Sequence, residues 1–221
     1  MGTRPPSAAR RASPARHQAL EQYKARADRY DSELEPFEPL RREAIQHLAL
    51  RPGETVLDVG CGTGLSFGPL LDQLGPRGHI VGIEQCPEMM AQARLRFSDL
   101  RAQQLRLVQA PVEEAQWPGL AHAALFHFTH DILRSPRALD NVLAHLAPGA
   151  RVVATGLQWA APWVWPVNLF VLGAALYSVS SLDGLAQPWS ELAPRLEGFE
   201  VHPTWMGGIF MATGVWPGRA P

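Results

Sequence analysis

Three glycines, Gly60, Gly62 and Gly64, sit in the run LDVGCGTG between an apolar β segment and a helical one. Such a loop lets a ligand come close to the backbone, where helix-terminal amides face it. Asp58 lies just before the glycines, on the rim of the expected cleft. An anion there repels a pyrophosphate and suits a cationic amino acid. Leu65 stands where the dinucleotide pattern G-x-G-x-x-G needs its third glycine. Glu84 follows 20 residues after Gly64, at the end of the next β run, the spacing of a carboxylate that takes both hydroxyls of a ribose. The bland alternative is that both acids cap loops. A second cluster, Thr129-His130-Asp131, closes a β run at 123–128. An imidazole there could remove a proton from a hydroxyl, thiol or carbon acid, with Asp131 orienting it or attracting a cationic substrate. Against this, Asp131 could cap the next helical turn and His130 simply shape the pocket. His122 and His127 fall inside the strand and read as packed in the fold.

The elements that must position these residues follow from pattern and punctuation. Helices are expected at 17–30 and 36–48, before the breaker Arg51-Pro-Gly53. Strand-like runs at 54–64, 79–84, 105–109, 123–128 and 151–156 alternate with helices at 65–74, at 87–97 behind Pro87, and from Ser135-Pro136 to about Pro148-Gly149. A short helix near Glu191 precedes β runs at 199–204 and 209–215. Alternation of this kind gives an α/β fold, a Rossmann-like, doubly wound, mostly parallel sheet. The last two strands are joined by Trp205–Gly208 alone, too short for a parallel crossover, so they form a C-terminal antiparallel hairpin. The segment 157–190 is a helical insertion expected to lie as a lid over the substrate side of the cleft.

LDVGCGTG followed by GIE-x-x-PEMM resembles the class I S-adenosylmethionine-dependent methyltransferases, in particular the branch resembling quinone and phospholipid methyltransferases. The resemblance covers about residues 20–156. S-adenosylmethionine carries an ammonium and a sulfonium and no phosphate, in keeping with Asp58. The resemblance implies that Asp58, Gly60, Cys61, Gly62 and Gly64 line the methionine part of the cofactor and that Glu84 holds its ribose. It places Gln85 and Met89 near the adenine, and Phe128 beside the cofactor. The family often has Gly-Asp-Ala after the third strand; here Ala110, Pro111 and Val112 stand there, so the adenine contact passes to backbone near Val112 or to Glu113. Thr129, His130 and Asp131 are the candidate catalytic residues. Tyr23 and Tyr30, seven apart on one helical face, belong to a segment that in similar enzymes folds over the cofactor; two aromatics anchoring a helix is the equal alternative. Trp159 and Trp163 are candidate substrate or lid residues. Arg41-Arg42 reads as a solvated pair on a helix surface.

Composition bounds the rest. The 221 residues hold 20 basic and 21 acidic side chains, a formal charge of −1, which disfavours a nucleic-acid partner. Arg4, Arg10, Arg11 and Arg16 lie in a Pro-, Ser- and Ala-rich stretch over 1–20 that reads as a disordered basic tail; a domain over 21–221 follows, with an N-terminal helical lid over 21–50. Cys61 and Cys86 cannot build a disulfide framework and fit a reducing cytoplasm, and no metal or redox site is expected. Nothing from Val152 to Leu182 is charged, a stretch of 31 residues. Its apolar run after Pro166 is 16 residues, short of the about 20 that a spanning helix needs. An uncharged lid points to a small, largely apolar acceptor, with peripheral membrane contact and a homodimer as further options. The rival functions are a lipid amine N-methyltransferase at the membrane surface, a non-catalytic cofactor-binding regulator and a nicotinamide oxidoreductase.

Overall fold

A computed structural model describes residues 34–97, 102–178 and 182–218. The tail over 1–20, the first half of the N-terminal segment, Tyr23 and Tyr30 lie outside the described residues. Seven strands form one sheet: β1 (Thr55–Val59), β2 (His79–Glu84), β3 (Leu105–Gln109), β4 (Ala121–His127), β5 (Leu146–Leu157), β6 (Glu197–Thr204) and β7 (Ile209–Trp216), in the order β3-β2-β1-β4-β5-β7-β6. The first five pair in parallel, while β7 runs antiparallel to both β5 and β6. The expected doubly wound sheet and terminal hairpin are therefore present. The order reverses between β1 and β4, and in such sheets a crevice opens at the carboxyl ends of the two strands flanking that switch.

Among the described residues, six helices flank the sheet: α1 (Glu38–His47), α2 (Phe67–Leu74), α3 (Pro87–Arg96), α4 (His130–Leu133), α5 (Pro136–Ala144) and α6 (Trp165–Ser178). One core joins Leu57, Val59, Ile83 and Phe126 to Leu133, Leu139 and Val142 of α4 and α5. The other joins Val56, Ile80 and Leu125 to Ile45 of α1, Leu70 of α2 and Val171 of α6. Alternate residues of β1 thus feed opposite layers, as strand geometry requires. Of the segment expected as an N-terminal lid over 21–50, the described part includes α1, with Leu40, Ala44, Ile45 and Leu48 buried in this second core.

Some boundaries differ from expectation. The helix opened by Ser135 ends at Ala144, and β5 starts at Leu146, so Pro148-Gly149 lies inside the strand. Register against β4 jumps there, from Ala121↔Leu146 to Ala123↔Arg151, and the irregularity accommodates a proline without an N–H. β4 stops at His127 because Phe128 turns to a φ of +57°. Near Glu191 the chain makes turns and one 3-10 turn, Ala193–Arg195.

Candidate functional site

At the carboxyl end of β1 the chain turns through Gly60 (φ +73°), and a Cβ built there would lie 2.7 Å from Thr129 Cγ2. Glycine at 60 therefore lets the β1 loop and the β4 loop touch. The loop amides are occupied internally: Gly60 and Cys61 N–H both donate to the Ile83 carbonyl, at 2.9 and 3.0 Å, and Gly64 N–H donates to Cys61 O at 2.9 Å. Gly62 N–H donates to Glu84 Oε2 at 3.1 Å, while Cys86 N–H donates to Glu84 Oε1 at 2.7 Å. Glu84 thus ties the glycine loop to the start of α3. Four of the amides expected to face a ligand are spent on the fold, which leaves the loop poorly suited to an anionic phosphate.

What the loop offers instead is a buried carboxylate. Asp58 is 2% exposed, and its Oδ2 has no hydrogen-bond partner among the described residues. Burial pushes its pKa up to about 7; Arg41 opposes the rise and Glu84 adds to it. Burial also raises the Glu84 carboxyl against the pull of its backbone donors, and it raises the Cys61 thiol. Leu34, Arg41, Asp58, Gly60, Cys61, His127 and Phe128 line one small crevice at the switch point.

Two residues of this crevice are not legible as site residues from spacing alone. Arg41 is buried rather than solvated and pairs with Glu38. A signal existed: Arg41 shares the i, i+3, i+4, i+7 stripe of Ala44, Ile45 and Leu48. His127, which reads as packed within the strand, sits at the strand's last position with Nδ1 2.6 Å from Thr155 Oγ1 on β5. Its buried Nε2 lacks a partner among the described residues, as does Thr129 Oγ1. Burial, with the Arg41 charge, lowers the His127 imidazole to about 3, so the ring is neutral near physiological pH.

The expected catalytic trio separates. Thr129 reaches the crevice wall at Gly60, and Asp131 is exposed. His130 turns inward: it is 5% exposed, its Nε2 lies 2.9 Å from the Leu157 carbonyl oxygen, and its ring rests against Gly156 and Phe210. Burial lowers its pKa, opposed by that carbonyl. In this position the ring fastens the Thr129–Asp131 turn to β5. Among the residues assigned to the adenine end, Met89 is 1% exposed, Gln85 is half-buried, and Val112 heads a 3-10 turn whose carbonyls at Val112 and Ala115 accept from Asn141 Nδ2. Phe128 meets Phe37 edge-on, with centroids 5.3 Å apart. Trp159 is half-buried against the second core, whereas Trp163 is 82% exposed. Among the described residues no group of three His, Cys, Asp or Glu could hold a metal ion, and no helix is long and apolar enough to cross a membrane.

Residues 56–149 match a family described as "Methyltransferase domain". Among curated relatives, the arsenite methyltransferase of Halobacterium salinarum is 28% identical over 171 residues, 71% of this chain and 43% of that protein. The aklanonic acid methyltransferase DauC of a Streptomyces species (strain C5) is 32% identical over 102 residues, 46% of this chain and 44% of that one. The chain spans about a fifth to a half of the length of the curated relatives it matches. Among solved structures, the N-methyltransferase NodS of Bradyrhizobium japonicum in complex with S-adenosyl-L-homocysteine superposes with a TM-score of 0.63 at 16% identity, over 90% of this chain and 97% of that one.

Proposed function

We propose that the chain is a class I S-adenosylmethionine-dependent methyltransferase that moves a methyl group onto a small, largely apolar acceptor, a reading supported by the methyltransferase-domain match and the methyltransferase relatives. The observation that carries this reading is the set of three buried polar atoms at the switch point, Asp58 Oδ2, His127 Nε2 and Thr129 Oγ1, that lack partners among the described residues. Such groups are costly unless a ligand satisfies them. A buried carboxylate with an unpartnered oxygen, beside a loop whose amides are spent, suits a cationic ligand without phosphate. S-adenosylmethionine, when bound, supplies an electrophilic methyl on a sulfonium. Asp58 would hold the ligand's ammonium, which draws off the proton that burial favours. Gly60 would keep the wall close, and Glu84, already fixed by two amides, has lone pairs left for ribose hydroxyls.

Transfer forms a bond from the acceptor's lone pair to carbon, breaks the carbon–sulfur bond and frees a proton from a protic acceptor. Thr129 Oγ1 and His127 Nε2 stand on the β4 side of the crevice, where they would align the acceptor atom and take a hydrogen bond from it or give one to it. Alignment of this sort supplies much of the rate when the nucleophile is already competent. The two curated relatives are named for small-molecule methylation, of arsenite and of aklanonic acid, which supports a small acceptor. Calorimetry with S-adenosylhomocysteine and with NAD tests the cofactor. Binding of the former alone is expected; NAD binding without it would overturn the reading. A labelled-methyl screen over phenols, amines, thiols, quinols and lipids then identifies the acceptor.

A further inference from the structure

We infer that a second, apolar site adjoins the crevice and takes the hydrocarbon tail of an amphipathic acceptor whose reacting head lies at Phe128 and His127. The inference rests on the methyl-transfer reading for the head. Its own ground is a groove of ≈ 450 Å³ between α6 and the turn at 205–208, lined by Val164, Val167, Phe170, Trp205, Met206 and Ile209. That volume lies within the range of sites for drug-sized ligands. The walls carry no charge, because the uncharged stretch from Val152 to Leu182 supplies one of them.

Three further observations separate this groove from an ordinary apolar patch. First, a run of ring contacts links its wall to that of the crevice: Phe170 stacks on Trp205 at 6.2 Å, Trp205 stacks on Phe37 at 5.4 Å, and Phe37 meets Phe128 at 5.3 Å. Second, both walls are pinned by side-chain amides. Asn168 accepts from Ala160 N–H at 2.8 Å and donates to Ala160 O at 3.2 Å, fixing the start of α6. Gln158 Nε2 donates to Gly207 O at 3.0 Å, and Gln158 N–H donates to Gly208 O at 3.0 Å, fixing the turn. A Cβ on Gly208 would stand 2.6 Å from Val167 Cγ1, so the walls meet closely at the floor. Third, Trp205 and Met206 hold positive φ, +48° and +55°, and remain 49% and 76% exposed. Left-handed backbone at two successive non-glycine residues persists where surroundings impose it, and it is found at ligand clamps. Here it turns two large apolar side chains to the groove's mouth rather than into the core.

A tail seated there contributes binding that is the same before and during transfer, so it lowers KM and leaves kcat unchanged. The probes are 4-n-alkylphenols from methyl to nonyl, titrated by tryptophan fluorescence against the full chain, free and with S-adenosylhomocysteine. Affinity is expected to rise about fourfold per methylene until the groove is filled. Met206→Asp or Phe170→Asp, at exposed positions, is expected to flatten that slope while S-adenosylhomocysteine affinity stays unchanged. Affinity independent of chain length, or a slope that survives both variants, would overturn the tail site. Loss of S-adenosylhomocysteine binding in the wild type would instead overturn the methyl-transfer reading, and with it the acceptor role. Sedimentation with phosphatidylcholine vesicles that Met206→Asp abolishes, in the absence of any alkylphenol slope, would assign this face to a bilayer and sink the proposal.

Discussion

Asp58 shows how one residue trades stability for binding. Its folded pKa, about 7, lies above the unfolded 3.8, so the native state keeps a proton that the unfolded chain has released. Stability from this group falls as pH rises from about 4 to 7, and above 7 the native state carries the full penalty. Asp58→Asn removes it. The variant is expected to be more stable at pH 8 without ligand, on the order of 1–3 kcal/mol or several degrees in Tm, by calorimetric melting. The same change is expected to weaken S-adenosylhomocysteine binding about 10- to 100-fold. In the wild type, affinity should drop by up to about tenfold per pH unit below 7, since a proton then competes with the ammonium; the variant should lose that dependence. The two histidines part in a similar test. His127→Ala is expected to lower kcat in a folded protein, because in the proposed reaction the unpartnered Nε2 would meet the acceptor. His130→Ala is expected to cost about 2–4 kcal/mol of stability, since it leaves the Leu157 carbonyl unpaired and a void on Gly156. Urea unfolding beside single-turnover rates distinguishes them. Sequence spacing singled out Asp58, Glu84 and the glycines because local order along the chain brings them to one loop, where the structure also has them together. It did not show that His127, rather than His130, lines the crevice, because that depends on Phe128 leaving the strand with positive φ, a tertiary property.

Elements were legible wherever period and punctuation agreed. β2 and β3 match their expected bounds, and Ser135 caps α5 as read, its Oγ accepting from Ala138 N–H at 3.3 Å. Ser135→Ala is expected to cost about 1 kcal/mol by urea titration. The β5 boundary was misplaced because Pro148-Gly149 reads as a stop, whereas the strand absorbs both where its register against β4 slips. Arg41 was misplaced because charge weighs more than stripe position in a surface reading. α6 was legible as apolar and helical, but not in its orientation. Val171 and Ala175 are buried, whereas Trp165 and Leu169 are exposed, and period alone cannot choose between two apolar faces.

At the scale of the molecule, one ion pair joins parts distant in sequence. Arg151 on β5 bonds the Leu48 carbonyl at 2.7 Å, beyond α1, and pairs with Glu54 just before β1. Burial raises the Glu54 carboxyl, but bonds from Arg151 and from Arg51 N–H outweigh it and hold its pKa below 4.5. Its stabilisation is therefore present above about pH 4.5 and is lost as pH falls through the lowered value. Arg151→Met is expected to cost about 2–3 kcal/mol at pH 7, with the deficit shrinking in acid, measured by urea unfolding across pH. The sheet order carries a consequence for synthesis. β7, eight residues long, follows β6 in sequence and is the last strand among the described residues, yet it lies between β5 and β6. A chain made as far as Thr204 but lacking residues 209–216 has β6 without its ladder partner, and α6 lacks the Ile209 and Met211 on which its layer packs. Until β7 is in place, the sheet therefore keeps an open edge beside an uncharged helix, and one strand closes both antiparallel ladders as a clasp does.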